Sequence, residues 1–204
     1  MARPSTITTE QILDAAREVF LEKGIQATTS EVARRAGVAE GSIFKRFRTK
    51  QELFLRAMEP TFQDPAFLRK LPQRVGNGDL RQNLVEFGTE MLAFLRRIVP
   101  LMMMSWSNRE CGLPKQLAAP NPPPVRALKR IGAYFEAEMR LKRLRRQDPE
   151  ILARVFMGSL QNYVFLELLL KAHDGLPLPA EDYLRGVVNL LWTGAAPRAR
   201  KESP

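Results

Sequence analysis

Gly41, Ser42, Lys45 and Arg46 lie in one short run with Ile43, Phe44 and Phe47 between and after them. A glycine lets backbone approach closely, a hydroxyl donates and accepts, and two cations carry several donors. That set suits hydrogen bonding to base edges and phosphates better than bond-making chemistry. Ile43, Phe44 and Phe47, at i, i+1 and i+4, are the groups that would pack such a segment against the helices before it. Thr28 and Thr29 open another candidate helix, where hydroxyls and unpaired N–H groups can meet a phosphate. Lys50 adds a cation just beyond. No such grouping exists for catalysis. Cys111 and His173 are the only residues of their kinds, too few for a zinc site. Nothing indicates an acid–base partner for either, or a lowered thiol pKa at Cys111. No enzyme activity, cofactor or metal is expected.

The elements that must position these residues read as helices throughout, because apolar residues recur at three and four and almost nowhere alternate. A first helix is expected over about Thr9 to Lys23, capped by Thr8 or Thr9, stopped by Gly24, and buried through Ile12, Leu13, Ala16, Val19 and Phe20. Thr28 with Glu31 three residues on makes a capping box for a second helix that ends at Gly37. A third covers about Glu40 to Phe47. Thr49 caps a fourth, with the stripe Leu53, Phe54, Ala57 and Met58. Two short helices and a tight turn at Gly37 are the layout of a helix-turn-helix.

Pro60, Pro65, Pro72 and the Gly76-Asn77-Gly78 turn mark Glu59 to Asp79 as an irregular boundary. A long helix should follow, about Leu80 to Trp106, kinked or split at Pro100. Ser107 to Pro124 is a proline-rich loop. Further helices are expected over about Pro124 to Arg146 (inner face Val125, Leu128, Ile131, Phe135, Met139), Pro149 to Ala172 and Ala180 to Trp192. The last two are apolar over more than one face.

The net charge of +10 favours a polyanion, whether nucleic acid or an anionic membrane surface, or reflects nothing beyond a basic proteome. The start of the chain has no apolar signal core. The most apolar run, Val155 to Leu170, is interrupted by Ser159, Gln161, Asn162 and Glu167, so it reads as a buried helix, not a membrane span. A cytoplasmic protein without a membrane partner is expected.

The run Phe20-x-x-Lys23-Gly24, Ala27-Thr28-Thr29, Ala33-x-x-Ala36-Gly37-Val38, Gly41-Ser42-Ile43-Phe44-x-x-Phe47 and Thr49-Lys50-x-x-Leu53 resembles the tetracycline-repressor (TetR) family of bacterial transcriptional regulators. The likeness spans about Ile12 to Phe54. It implies an all-α protein: an N-terminal three-helix DNA-binding domain with a helix-turn-helix (1–55), a larger helical effector-binding and dimerisation domain (56–194), and a disordered basic tail (195–204). By analogy Ser42, Lys45 and Glu40 face base edges, Gly41 admits the backbone, and Thr28, Thr29, Arg46 and Lys50 meet phosphates. Two departures stand out. Phe44 replaces a usual tyrosine, and Glu40 stands where lysine is common; an acid there repels phosphate or accepts from a cytosine amino group. The stretch from Gly24 to Val32 is also one residue shorter than the usual pattern.

The resemblance implies a sequence-specific regulator, most simply a homodimeric repressor released from a palindromic operator in double-stranded DNA by an apolar or amphipathic small molecule. Met91, Phe94, Leu95, Ile98, Met102, Met103, Trp106, Phe135, Met139 and Phe156 would line its site if the middle helices form a bundle; the alternative is that they fill a core. Ser105, Asn108, Gln161, Asn162 and Tyr163 are polar groups able to orient a ligand. The last two helices would pair with a two-fold mate. Arg140 to Arg146 is either a second nucleic-acid patch or a solvated helix end. Ala2 to Ser5 is either a minor-groove arm or a loose terminus. The competing function is a constitutive DNA-binding architectural protein without an effector.

Overall fold

The computed structural model describes residues 7–107, 115–169 and 175–195. Among these there is no strand, and the helices are α1 (Thr9–Lys23), α2 (Thr29–Ala36), α3 (Glu40–Phe44), α4 (Lys50–Met58), α5 (Ala66–Lys70), α6 (Leu80–Ser107), α7 (Lys115–Ala118), α8 (Pro123–Arg140), α9 (Pro149–Leu169) and α10 (Ala180–Ala195). They divide into two compact units: the described residues up to Gln63 with those of Arg97–Pro120, and those of Asp64–Arg96 with Asn121 onward.

In the first unit, local chemistry sets each boundary. Thr8 and Gln11 form a capping box on α1, and Gly24 at φ 57° ends it. A left-handed φ of this kind costs glycine nothing. Thr28 and Glu31 form a second capping box on α2, and Gly37 at φ 68° closes it. The Thr49 hydroxyl accepts from the Glu52 N–H at α4. Ile12, Ala16, Val19 and Phe20 of α1 are buried with Val32, Ile43, Phe47, Leu53 and Phe54. Phe20 meets Phe54 edge-on, centroids 5.1 Å apart. The Arg17 Nε–H donates to the Ala57 carbonyl (2.8 Å), satisfying an orphan acceptor at the end of α4.

In the second unit the core runs through aromatic rings. Phe67 packs on Phe87 and Phe94, Phe87 stacks on Phe156, and Phe156 meets Phe135 edge-on. Met91, Leu92, Ile131, Leu152, Leu160, Val164, Leu184 and Val188 fill the surrounding space. Gly88 allows α6 to meet α10: a Cβ there would overlap the Leu184 side chain. Asp64 receives Arg126, which also donates to the Asn121 carbonyl, and pairs with Arg130 (2.7 Å). Arg96 forms a bidentate pair with Glu167 (2.8 and 3.0 Å).

Several expectations change here. The third helix is shorter than Glu40 to Phe47; Lys45 and Arg46 form a turn, with Arg46 and Phe47 N–H groups both donating to the Ile43 carbonyl. Glu59 to Asp79 is largely helical: 3₁₀ turns at Glu59–Phe62 and Leu71–Arg74 flank α5, with Pro60 and Pro72 in their first turns. A proline there loses no needed donor. Helix α6 continues through Pro100 instead of splitting, although a proline there lacks the N–H that would meet the Arg96 carbonyl. Helix α8 stops at Arg140 because Lys142 takes φ 61°, and the Lys142 and Arg143 N–H groups donate to the Met139 and Glu138 carbonyls. Its inner face is Ala127, Ile131, Tyr134, Phe135 and Glu138, while Val125 is exposed.

Candidate nucleic-acid interface

Helix α3 hangs on two anchors. Ile43 and Phe47 are 1% and 2% exposed, but Phe44, expected to pack with them, is exposed, as are Glu40, Gly41, Lys45 and Arg46, and Ser42 is half-buried. Ala39 holds the N-cap position without a side-chain bond, so burial of Ile43, not a cap, holds the helix in place. A Cβ at Gly41 would meet nothing within 4 Å, so close approach at this surface is open.

Polar contacts divide the predicted residues. Thr28, though exposed, is engaged by its own helix: its hydroxyl accepts from Glu31 N–H (3.2 Å) and its own N–H donates to Glu31 Oε2 (2.9 Å). The Thr29 hydroxyl donates to Glu40 Oε1, joining the starts of α2 and α3. Arg46 donates to the Ile7 carbonyl (3.0 Å) and the Ser42 carbonyl (3.3 Å). Lys45 projects from the turn after α3, and Lys50 opens α4, half-buried. Arg48, exposed between them, was not singled out by sequence; its N–H donates to Glu52 Oε2.

Charges also lock the motif. Lys23 pairs with Glu31. That contact and the Thr28 N–H hold the Glu31 carboxyl down at about 2, below its ordinary 4.5. Arg35 bridges Glu18 (2.9 Å) and Glu22 (2.7 Å), which pushes its own pKa up and lowers that of Glu22. Glu18 and Glu22, four apart on α1, share a face; that spacing was the available clue to this clamp.

The candidate ligand residues fall into both units. Met91, Leu95, Phe135 and Phe156 are buried in the second unit's core, with Phe94 and Met139 half-buried. Ile98 is buried, and Met102 and Met103 half-buried, in the part of α6 belonging to the first unit. The Trp106 and Ser105 side chains, Asn108, Cys111, His173, the Ala2 to Ser5 arm and residues 196–204 lie outside the described residues. Asn162 and Tyr163 line a cleft of about 160 Å³ with Leu166, Glu167, Leu176, Leu178 and Tyr183. It is anchored by Tyr163 donating to the Leu178 carbonyl and Tyr183 to the Ser159 carbonyl. Gln161 is exposed. No group of acids, His and Cys among the described residues is arranged to hold a metal, and none of their helices is long and apolar enough to cross a membrane.

Residues 12–57 match the family description "Bacterial regulatory proteins, tetR family", and residues 82–189 match "AefR-like transcriptional repressor, C-terminal domain". YvkB, an uncharacterized HTH-type transcriptional regulator of Bacillus subtilis, is 33% identical over 100 residues, 48% of this chain and 51% of that protein. TtgW of Pseudomonas putida, described in the same terms, is 39% identical over 66 residues, 32% of this chain and 48% of that protein. The chain thus spans about half the length of these curated relatives. The fold is similar to that of FadR from Bacillus subtilis, solved in complex with stearoyl-CoA (TM-score 0.60, 19% identity, 92% of this chain and 99% of that one). It is also similar to the TetR-family regulator PfmR from Thermus thermophilus (TM-score 0.59, 17% identity, 88% and 96%). With its helix-turn-helix framed by the α2 capping box and the left-handed Gly37, and its C-terminal helices matched over half its length, the chain belongs to the TetR family of DNA-binding transcriptional regulators.

Proposed function

We propose that this regulator is a cytoplasmic homodimeric repressor that binds a palindromic operator and is released from it by an apolar or amphipathic small molecule. The observation that carries the dimer is an uncovered apolar stripe. Ile151, Val155 and Phe165 recur along α9 at helical spacing, exposed by 60%, 48% and 46%, and Leu190 of α10 is 74% exposed. A surface of that kind on a compact domain marks an interface. Gly186 leaves space there, since a Cβ would meet nothing. Reading also requires a pair: a helix as short as α3 contacts few base pairs, and two related by a dyad read a palindrome.

On this reading Ser42, Lys45 and Glu40 address base edges, while Thr29, Arg46 and Lys50 address phosphates over the Gly41 backbone. Thr28 contributes by holding the start of α2. Ligand class follows from the methionine- and aromatic-rich composition of the middle helices, and the acyl thioester seen in the Bacillus subtilis FadR structure fits that class. Binding would then favour one of two conformations and lower operator affinity. The competing reading, an architectural protein without an effector, is favoured by the tight burial of Met91, Phe135 and Phe156.

Selecting duplexes from a random pool and sedimenting the complex with and without a long-chain acyl-CoA tests the proposal. Two chains on one inverted repeat, released by the thioester, support it. Equal affinity for random and selected duplexes, unaffected by any amphiphile, supports the architectural reading.

A further inference from the structure

The second unit concentrates positive charge where no assigned role uses it. Residues 140–146 hold five cations and no acid. Arg143 is engaged internally: it pairs with the buried Glu138 (3.2 Å) and donates to the Gly78 carbonyl (2.6 Å). The other four, Arg140, Lys142, Arg145 and Arg146, are exposed. Arg140 reaches Glu136 at 4.0 Å, and among the described residues Lys142, Arg145 and Arg146 pair with no acid. Acids close in sequence or to Gly78 have other partners: Asp79 accepts from the Gln82 N–H, Asp148 from the Glu150 and Ile151 N–H groups, and Glu150 pairs with Arg154. A frayed helix end would leave such charges loose, but this turn is fixed. Lys142 holds φ 61°, a conformation that suits glycine better than lysine. Leu144 is buried. Arg145 and Gln147 both donate to the Gly194 carbonyl, tying the turn to the end of α10. The sequence continues from Gly194 through Arg198, Arg200 and Lys201, with Glu202 as the one acid after it.

We infer that this turn is a separate nucleic-acid contact, in which Arg140, Lys142, Arg145 and Arg146 hold phosphates of duplex DNA without reading sequence. The inference stands on the charge and fixation of the turn, and does not need α3 to read bases. A duplex presents a dense row of phosphates, and a fixed set of unpaired cations releases its counterions on contact. Three of the four cations are arginines, whose forked donors match phosphate oxygens. A membrane surface asks for an apolar face beside the cations, and Leu141 is the one exposed apolar side chain of the turn.

The test is the salt dependence of binding by the full chain to a duplex of random sequence. Each phosphate contact contributes about one unit of slope in log affinity against log salt. Arg140→Gln, Lys142→Gln, Arg145→Gln and Arg146→Gln together should flatten that slope by at least about two units. Lys70→Gln, Arg97→Gln, Lys129→Gln and Arg185→Gln, at exposed positions outside the turn, remove the same charge and should flatten it by less than about one unit. Arg145 also anchors Gly194, so a second variant guards against misfolding. Lys142→Gln with Arg146→Gln removes side chains that bond no other described residue, and should flatten the slope by at least about one unit at an unchanged thermal midpoint. Equal flattening by the two fourfold variants would reduce the turn to net charge and overturn the inference. An unchanged slope in the turn variants overturns it as well. If they then lose wild-type binding to vesicles of equal parts phosphatidylglycerol and phosphatidylcholine, the turn belongs to a membrane surface. Failure of the protein to select any sequence is a different result, since the slope is measured on random DNA.

Discussion

The hydroxyl of Thr29 donates to the carboxylate of Glu40, binding the first turn of α2 to the first turn of α3. Both residues belong to the surface proposed to meet DNA, so this bond competes with the phosphate for Thr29. It also keeps a negative charge at the start of the reading helix.

Removing that charge should tighten binding. Glu40→Ala frees the Thr29 hydroxyl for a phosphate and relieves repulsion of roughly 1 kcal/mol at close range in water, about fivefold in affinity. Anisotropy titrations on a random duplex at low salt check this. Weaker binding of the random duplex by the variant would mean that Glu40 anchors α3, since a base contact of its own would strengthen the selected duplex alone.

Acid should loosen the turn between α1 and α2. Glu31 has its carboxyl pulled down to about 2 in the folded chain, from an ordinary 4.5. Its contribution is therefore present above pH 4.5 and lost as pH falls toward 2. Unfolding midpoints measured across that window should fall more steeply for the wild type than for Glu31→Gln. Parallel curves would contradict the assignment.

Core and cavity readings of Phe156 give different outcomes. Its ring is fully buried and packed against Phe87 and Phe135. As a packed core residue, Phe156→Ala should cost about 3–5 kcal/mol, visible as a lower denaturant midpoint with unchanged slope. A loss under about 1 kcal/mol, well below that range, would indicate that the ring faces open space able to take a ligand.

Placing a charge on the α9 stripe should separate the pair. Phe165→Glu leaves the exposed surface of one chain intact, but it would bury an unpaired carboxylate in the proposed interface. The dimer dissociation constant should rise at least about 100-fold, and sedimentation should find monomers at micromolar concentration. A variant that stays dimeric would move the interface elsewhere.

Local chemistry made much of the first unit legible. Thr8, Thr28 with Glu31, Gly37 and Thr49 are start and stop signals within a few residues of what they cap, and the α1 stripe repeats with the helical period. What escaped involved distant partners or a competing local rule. Asp64 meets Arg126 and Arg130 across 62 and more positions, and periodicity holds no record of such a pair. The Glu138 carboxylate, fully buried, accepts from the Gly76 N–H and pairs with Arg143. A charged residue in the α8 core therefore rotates that helix away from the face Val125 predicts. The prolines of Glu59 to Asp79 read as breakers, although at the first turn of a helix they are tolerated. In the interface, Lys45 and Gly41 were legible as residue types, while the Thr29–Glu40 bond and the exposure of Phe44 needed three dimensions.

The central claim is that α3 reads bases while the residues around it hold phosphates, and competition binding across salt tests it most directly. Wild-type protein should prefer its selected duplex over a random one by at least about 10³ at physiological salt. Lys45→Ala should lose part of that ratio. Lys50→Ala should weaken both duplexes similarly and flatten the salt slope by about one unit. If wild-type protein binds both duplexes equally, or Lys45→Ala weakens both by the same factor, α3 is not reading sequence through Lys45 and the account fails.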